Sequence, residues 1–527
     1  MHGSTLVFIL LTAIVGFAVL AKRFSVPYPI AFVLGGSLLT LFPSLPNIRL
    51  SPDWVFLIIL PPLLFAGGWY TDWKVFRENL RPIGLLSIGL VLFTTVAVAA
   101  VAHWLSPSLG WAAAFALGAI VSPPDAVAAG SVFERFSIPR RILAILDGEG
   151  LVNDATALVV YRFAIAAALT GTFSIGNASL AFVFVSVSGV ALGLAFGAGY
   201  VALLKILRRF ELSDYMLDSV LSLLVPYAVY LFTDSIQLNG VGPSAVLATV
   251  TAGIFVSRQS SKVFGPDSRL VANSVWTLLI FLLNGLVFVA IGLQLRDILH
   301  DPTFAARELW IGIAVSVAVI VVRVVWVYPA TYLPRLFSAR LRQREGVPPW
   351  NYVFVIAWSG MRGIVSLAAA LALPYAFPGR NLIIFITFCV IVATLVFQGL
   401  SLIPLLKWLR IDSGEDIEKR EIEVRVGALR AALKRLRELE PFESVEEWEV
   451  EGRIVGEYEY RIAHLTGHIE GGQGGLAGGV AIDHRLQQEA LEAERREVER
   501  MRADGEIPDE VYRKIEYDLD LANARLS

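Results

Sequence analysis

Up to about residue 409 the chain alternates long apolar runs with short polar breaks; beyond Asp412 the charges crowd together and the apolar runs cease. A helix needs about 20 predominantly apolar residues to cross a hydrocarbon core of roughly 30 Å. Helices satisfy their own backbone hydrogen bonds, which lipid cannot do. The runs therefore predict thirteen membrane-spanning helices, near 5–21, 27–43, 54–70, 82–104, 111–131, 142–169, 179–205, 215–234, 243–257, 271–296, 308–333, 351–376 and 381–409. The first run, Thr5 to Ala21, has only His2 before it and no small-residue cleavage pattern after it, so it reads as a mature span rather than a signal peptide. The expected fold is an all-α polytopic membrane domain over residues 1–410. A helical cytosolic domain follows over 411–527, where stretches such as Glu489 to Arg502 alternate charge at helical spacing.

The loops test this parsing independently. One alternate set carries 18 Lys and Arg residues, among them Lys22, Arg77, Arg81, Arg135, Arg141, Arg208, Arg269 and Arg335. The other set carries 4, namely Arg49, Arg296, Arg307 and Arg380. Cytoplasmic loops carry the basic excess, which puts the N-terminus outside and the C-terminus inside. Trp69, Trp104, Trp111, Trp310, Trp350 and Trp408 fall near span ends, where interfacial anchors are expected.

Composition narrows the function. Of 527 residues, 56% are hydrophobic and 17% charged, against about 25% charged in soluble domains. A net charge of −2 excludes a general nucleic-acid binder. The single cysteine, Cys389, cannot form an internal disulfide. No Gly-rich phosphate loop ending in Lys appears, which argues against ATP-driven pumping, and no cofactor is expected. His464 and His468 stand at i,i+4 in the tail without a third ligand nearby, and read as a solvated face rather than a metal site.

The informative residues are the ionisable ones inside spans, which are costly in lipid and mark ion pathways. Asp125, Glu149, Asp154, Arg162, Arg323 and Arg362 stand out. At 1.5 Å per residue, Asp125 lies about 21 Å into the fifth span, Asp154 about 18 Å into the sixth, and Arg362 about 17 Å into the twelfth. Three charges from three spans converge near the midplane. The fifth span holds Ser122-Pro123-Pro124-Asp125, where consecutive prolines remove donors and break the helix. The twelfth holds Ser359-Gly360-Met361-Arg362-Gly363. Interrupted helices at matching positions in two halves of a chain point to a transporter's binding site and to inverted repeats. Asp154 supplies a carboxylate and Asn153 an amide oxygen, both hard donors suited to a hard cation. Arg362 is expected to neutralise Glu149, leaving Asp154 to titrate. For Arg162 and Arg323 a scaffold role stays open.

With these residues in view, Gly148-Glu149-Gly150-Leu151-Val152-Asn153-Asp154-Ala155-Thr156 resembles the Asn-Asp signature of sodium/proton antiporters of the NhaP and NHE type. Leu60-Pro61-Pro62-Leu63-Leu64-Phe65-Ala66-Gly67-Gly68, Gly118 to Val127 and Gly360-Met361-Arg362-Gly363 resemble that family's third, fifth and arginine-bearing spans, in the same order. The resemblance covers about residues 5–410. It implies a homodimer in the bacterial inner membrane, with a core that moves against a dimerisation domain. It implies that Asp154 is the shared site of the transported monovalent cation and the proton, supported by Asn153 and Asp125, and that Glu149 pairs with Arg362. It further implies electroneutral exchange of Na+ for H+. A K+/H+ antiporter of the same architecture, or a cation channel with a regulatory tail, is the alternative. The chain departs from the family in Pro124-Asp125-Ala126, where many relatives have Thr-Asp-Pro, and at Gly150, where many have Ser; a backbone carbonyl or water would replace those ligands.

The loop alternation predicts that protease added from the cytosolic side cleaves the tail near Gly474, whereas protease added outside leaves it intact. Cleavage from outside would reverse the orientation.

Overall fold

In the computed structural model the described residues are 3–41, 52–133, 136, 138–171, 174–237, 241–295, 306–411, 415–438, 445–469 and 476–504, with scattered positions between 506 and 522. Arg49, Arg135, Arg296, Gly474 and most of the chain's last seven residues lie outside them. The chain divides into two compact units, Met1–Asp412 and Ser413–Ser527. The second contains three helices, Glu415–Arg437, Val445–Ile469 and Leu476–Ala503; Arg437 pairs with Glu459 at 2.9 Å between the first two, and Arg425 with Glu421 at 2.7 Å along the first.

The first unit is all helix. Among the described residues nine segments are long and apolar enough to cross a membrane, from Pro52–Tyr70 to Arg380–Leu409. The other four sequence-predicted spans fall on Gly3–Arg23, Tyr28–Leu39, Ala245–Val263 and the pair Trp350–Trp358 and Ile364–Leu371. The ninth helix runs six residues beyond its apolar stretch, to Val263. Tertiary contact rather than hydropathy supports that last turn: the Ser257 hydroxyl donates to the Trp69 carbonyl at 2.6 Å, and the Arg258 guanidinium sits over the Trp73 ring.

Among the described residues, the two largest of four apolar clusters organise this unit. The larger gathers around the fifth, twelfth and thirteenth spans, through residues such as Leu117, Ile120, Leu367, Ile386 and Leu395. A second joins Phe65 and Trp69 of the third span to Val229, Ala252 and Trp276 of the eighth, ninth and tenth. Trp69 thereby departs from its expected role. It is 8% exposed, packed on Phe65 and Phe264, whereas Trp104 and Trp408 are 80% and 70% exposed at the surface. The cause is close approach of the third and ninth spans. A Cβ on Gly253 would lie 2.5 Å from the Phe65 carbonyl oxygen, and one on Gly68 would strike the Val250 carbonyl. Small residues at such crossings let backbones meet where lipid supplies no hydrophobic drive.

Gly253→Val should lower the thermal stability of the solubilised protein by about 1–3 kcal/mol through overpacking. Gly199→Val, where nothing lies within 4 Å of an added Cβ, should be near neutral. Equal losses would show that the Gly68–Gly253 crossing is not close-packed.

Candidate functional site

The fifth span is two half-helices, Trp111–Val121 and Ala126–Phe133, and the twelfth is Trp350–Trp358 and Ile364–Leu371. Pro123 and Pro124 account for the first break, since neither has an N–H to continue the ladder. In the second, Ser359 donates back to the Val355 carbonyl at 2.6 Å and the extended residue Gly363 restarts the chain. The two breaks cross and bond to each other. The Asp125 amide donates to the Met361 carbonyl at 2.7 Å, and Arg362 Nε donates to the Val121 carbonyl at 2.8 Å.

Each charge sits where helix ends want it. Asp125 caps Ala126–Phe133, its Oδ1 accepting from the Val127 and Ala128 amides at 2.9 and 3.4 Å. The same carboxylate lies against Gly363, at the start of Ile364–Leu371, so closely that any Cβ there would collide with Oδ2. A negative charge at two helix N-termini is stabilised by both dipoles. Arg362, 1% exposed, faces the C-terminal carbonyls instead: Nε bonds Val121, Nη1 bonds the Gly360 carbonyl, and the backbone amide is held by Thr394 Oγ1 at 3.0 Å. Gln398 Nε2 satisfies the Trp358 carbonyl at 3.1 Å.

This corrects the expected ion pair. Glu149 is bridged by Arg323, not Arg362: Nη1 and Nη2 reach its two carboxylate oxygens at 2.5 and 2.8 Å, with both side chains 1% exposed. Arg323 also donates to the Ile356 carbonyl at 3.1 Å. Depth along a span fixes height but not direction around the bundle, and among the described residues it is the eleventh span that presents a guanidinium fork to Glu149. Arg162, for which the sequence leaves a scaffold role open, takes no part in this bridge. It is half-exposed and pairs with Asp234 at 3.8 Å.

The remaining residues are Asn153 and Asp154. Asn153 donates Nδ2 to the Pro124 carbonyl at 2.9 Å, which fixes the amide and leaves its buried Oδ1 without a donor. Among the described residues, nothing donates to the half-buried Asp154 carboxylate one position on, although the Asp125 charge acts on it. The chain thus brings an uncommitted carboxylate, an uncommitted amide oxygen and the Asp125 carboxylate to one crossing. Such a hard-oxygen set can hold a monovalent cation or a proton.

Ser122 bonds its own helix, to the Ala119 carbonyl at 3.0 Å, so its hydroxyl is committed. Gly150 packs on Ala126, where a larger residue would press the fifth and sixth spans apart. Sequence reasoning missed Thr394 and Gln398. Both are uncharged, but an i,i+4 polar pair inside the apolar run Val390 to Leu400 was a usable signal. It also passed over Asp147, two turns before Asp154 on the same face and exposed.

Known proteins share the sequence and fold of this membrane unit. The family described as "Sodium/hydrogen exchanger, transmembrane" matches residues 7–408. A sodium, potassium, lithium and rubidium/H+ antiporter of Bacillus pumilus is 33% identical over 450 residues, covering 82% of this chain and 65% of its own length. An uncharacterised Na+/H+ exchanger of Escherichia coli is 30% identical, over 99% of this chain and 98% of its own. The sodium proton antiporter MjNhaP1 of Methanocaldococcus jannaschii shares the fold, with a TM-score of 0.58 at 17% identity over 78% of this chain and all of its own.

Breaking a buried ion pair by removing one partner costs about 3–5 kcal/mol. Arg323→Ala should therefore destabilise by that amount, and Glu149→Gln combined with Arg323→Gln should cost less than the two single changes summed. Coupling of Glu149 to Arg362 rather than Arg323 in such a cycle would contradict the pairing.

Proposed function

This chain belongs to the sodium/hydrogen exchanger family, and from that premise we propose that it is a secondary antiporter exchanging Na+ for H+ by alternating access, with Asp154 as the site that cation and proton share. It is a multi-pass membrane protein and a transporter rather than an enzyme. The observation that carries the reading is the contrast at the crossing. The Glu149–Arg323 bridge is closed and Arg362 bonds backbone carbonyls through Nε and Nη1, with Nη2 left over, while among the described residues neither the Asp154 carboxylate nor Asn153 Oδ1 has a donor.

That contrast yields coupling from elementary electrostatics. Desolvation disfavours the charged form of a carboxylate, and a nearby cation favours it. Proton and cation therefore exclude each other at one carboxylate: protonation expels the cation, and cation binding expels the proton. If the core crosses only when that carboxylate is occupied, each passage carries one ligand. Opposite passages then exchange them one for one, without ATP or a second site. Asn153 contributes an oxygen to the cation, and Asp125 adds negative potential while its capping role holds the two broken helices in register. The rest of the reading follows the family: a homodimer in the bacterial inner membrane, N-terminus outside and tail in the cytoplasm, with residues 411–527 a separate module.

Sodium is favoured over potassium as the cargo, because the matching family is described by sodium. The Bacillus relative's name shows that one member carries several alkali cations, so potassium is the natural competitor in the assay. A channel would not need an uncommitted carboxylate between fixed ion pairs.

In proteoliposomes, Asp154→Asn should fold and give no sodium-dependent proton flux, since the amide keeps the shape but cannot titrate. In the wild type, acidification on the sodium side should weaken apparent sodium affinity by up to about tenfold per pH unit, the limit for two ligands competing at one site. A pH-independent affinity, or sustained exchange by Asp154→Asn, would place the coupling site elsewhere.

A further inference from the structure

A second charged site lies apart from the crossing of the broken helices, at the end of the bundle that carries the basic loops. The short helix Ala339–Glu345 brings the Glu345 carboxylate among three arginines from three other segments. Arg335, from the end of the eleventh span, reaches Glu345 Oε2 at 2.8 Å; Arg81, at the start of the fourth, lies at 3.7 Å; Arg141, at the start of the sixth, lies at 3.9 Å. Three cations around one carboxylate leave two positive charges in excess.

The arginines differ in how they are satisfied. Each guanidinium nitrogen of Arg335 has an acceptor, in Glu345 and the Gly346 and Thr331 carbonyls. Arg141 donates to Asn79 Oδ1 at 3.1 Å and to the Glu345 carbonyl at 3.0 Å. Arg81 is not satisfied: its Nε and Nη1 are enclosed and have no hydrogen-bond acceptor among the described residues. Enclosed donors without partners are rare in native proteins and cost about 1–3 kcal/mol each. A purely structural cluster would not hold two excess charges and two orphan donors together.

The side chains of Arg81, Arg141, Arg335 and Glu345 line one side of a cavity of about 240 Å³, whose other wall is apolar and includes Leu85, Ile145, Val327, Val353 and Ile356. A phosphate group brings the negative charge and multiple acceptor oxygens that guanidinium groups bind best. An apolar wall beside it suits a ligand with a hydrocarbon part, and the cytoplasmic leaflet supplies anionic lipids of that kind. We propose that the cavity bounded by Arg81, Arg141 and Arg335 binds a phosphate-bearing anion, with Arg81 donating to the phosphate and Glu345 holding the other two arginines in place.

The full-length protein, purified in detergent, should be titrated with phosphatidylglycerol, with phosphatidylcholine and with inorganic phosphate, reading the thermal midpoint. Phosphatidylglycerol should raise the midpoint saturably and phosphatidylcholine should not. Arg81→Gln should weaken the half-saturating concentration about tenfold or more, as expected for loss of a charge-assisted hydrogen bond. Lys205→Gln, an exposed basic residue outside the cavity, should leave it unchanged. Arg81→Lys keeps the charge and supplies the reading should Arg81→Gln fold poorly; it should bind with intermediate strength. An Arg81-dependent shift with inorganic phosphate as well would identify a free anion as sufficient, and one with the lipid alone would identify the headgroup in its lipid. No shift with either anion, or equal weakening by the Arg81 and Lys205 variants, would overturn the site.

Discussion

Everything at the centre of this membrane domain depends on one constraint: two helices are broken inside the bilayer, and lipid offers nothing to the backbone groups the breaks expose. The chain meets it by crossing the breaks. The Asp125 amide closes onto Met361 and the Arg362 side chain closes onto Val121, so each interrupted span supplies what the other lacks. The side-chain charges follow the same logic. Asp125 stands at helix N-termini and Arg362 at helix C-termini, so both are held by dipoles as well as hydrogen bonds. Gly363 is the residue that lets the two breaks close, because no Cβ fits between it and the Asp125 carboxylate.

Fixing these charges gives the remaining ones their meaning. Buried ionisable groups are tolerated when paired, and Glu149 and Arg323, both 1% exposed, form such a pair. Asp154 sits between such fixed elements with its carboxylate uncommitted, beside an Asn153 oxygen that is also uncommitted. A site of this kind changes occupancy without rebuilding its surroundings, which is what a carrier needs if the same carboxylate is to take a proton on one passage and a cation on the next.

Much of this was legible in the sequence, for reasons that can be stated. Apolar runs and loop charges report the bilayer directly, and prolines and glycines report breaks in it, so the positions of Asp125, Asp154 and Arg362 near a common depth could be read by counting. Direction around the bundle could not. Glu149 was expected opposite Arg362 because both were deep, whereas the partner is Arg323 on a span whose depth was not counted. Trp69 was expected at an interface because it ends an apolar run, yet Gly68 and Gly253 draw the ninth span over it. Thr394 and Gln398 escaped because only ionisable residues were sought, although hydrogen-bonding groups of any kind serve a broken helix. Arg81, Arg141 and Arg335 were counted as loop charges, and only the fold brings them around Glu345.

The central claim is that sodium and a proton occupy the same carboxylate in alternation. Calorimetric titration of the purified protein with sodium, in buffers of different ionisation enthalpy, counts the protons released per sodium bound. Competition at Asp154 predicts release of about one proton per sodium where the carboxylate is protonated at the start, falling toward zero as pH rises. Sodium binding that releases no proton at any pH would contradict it.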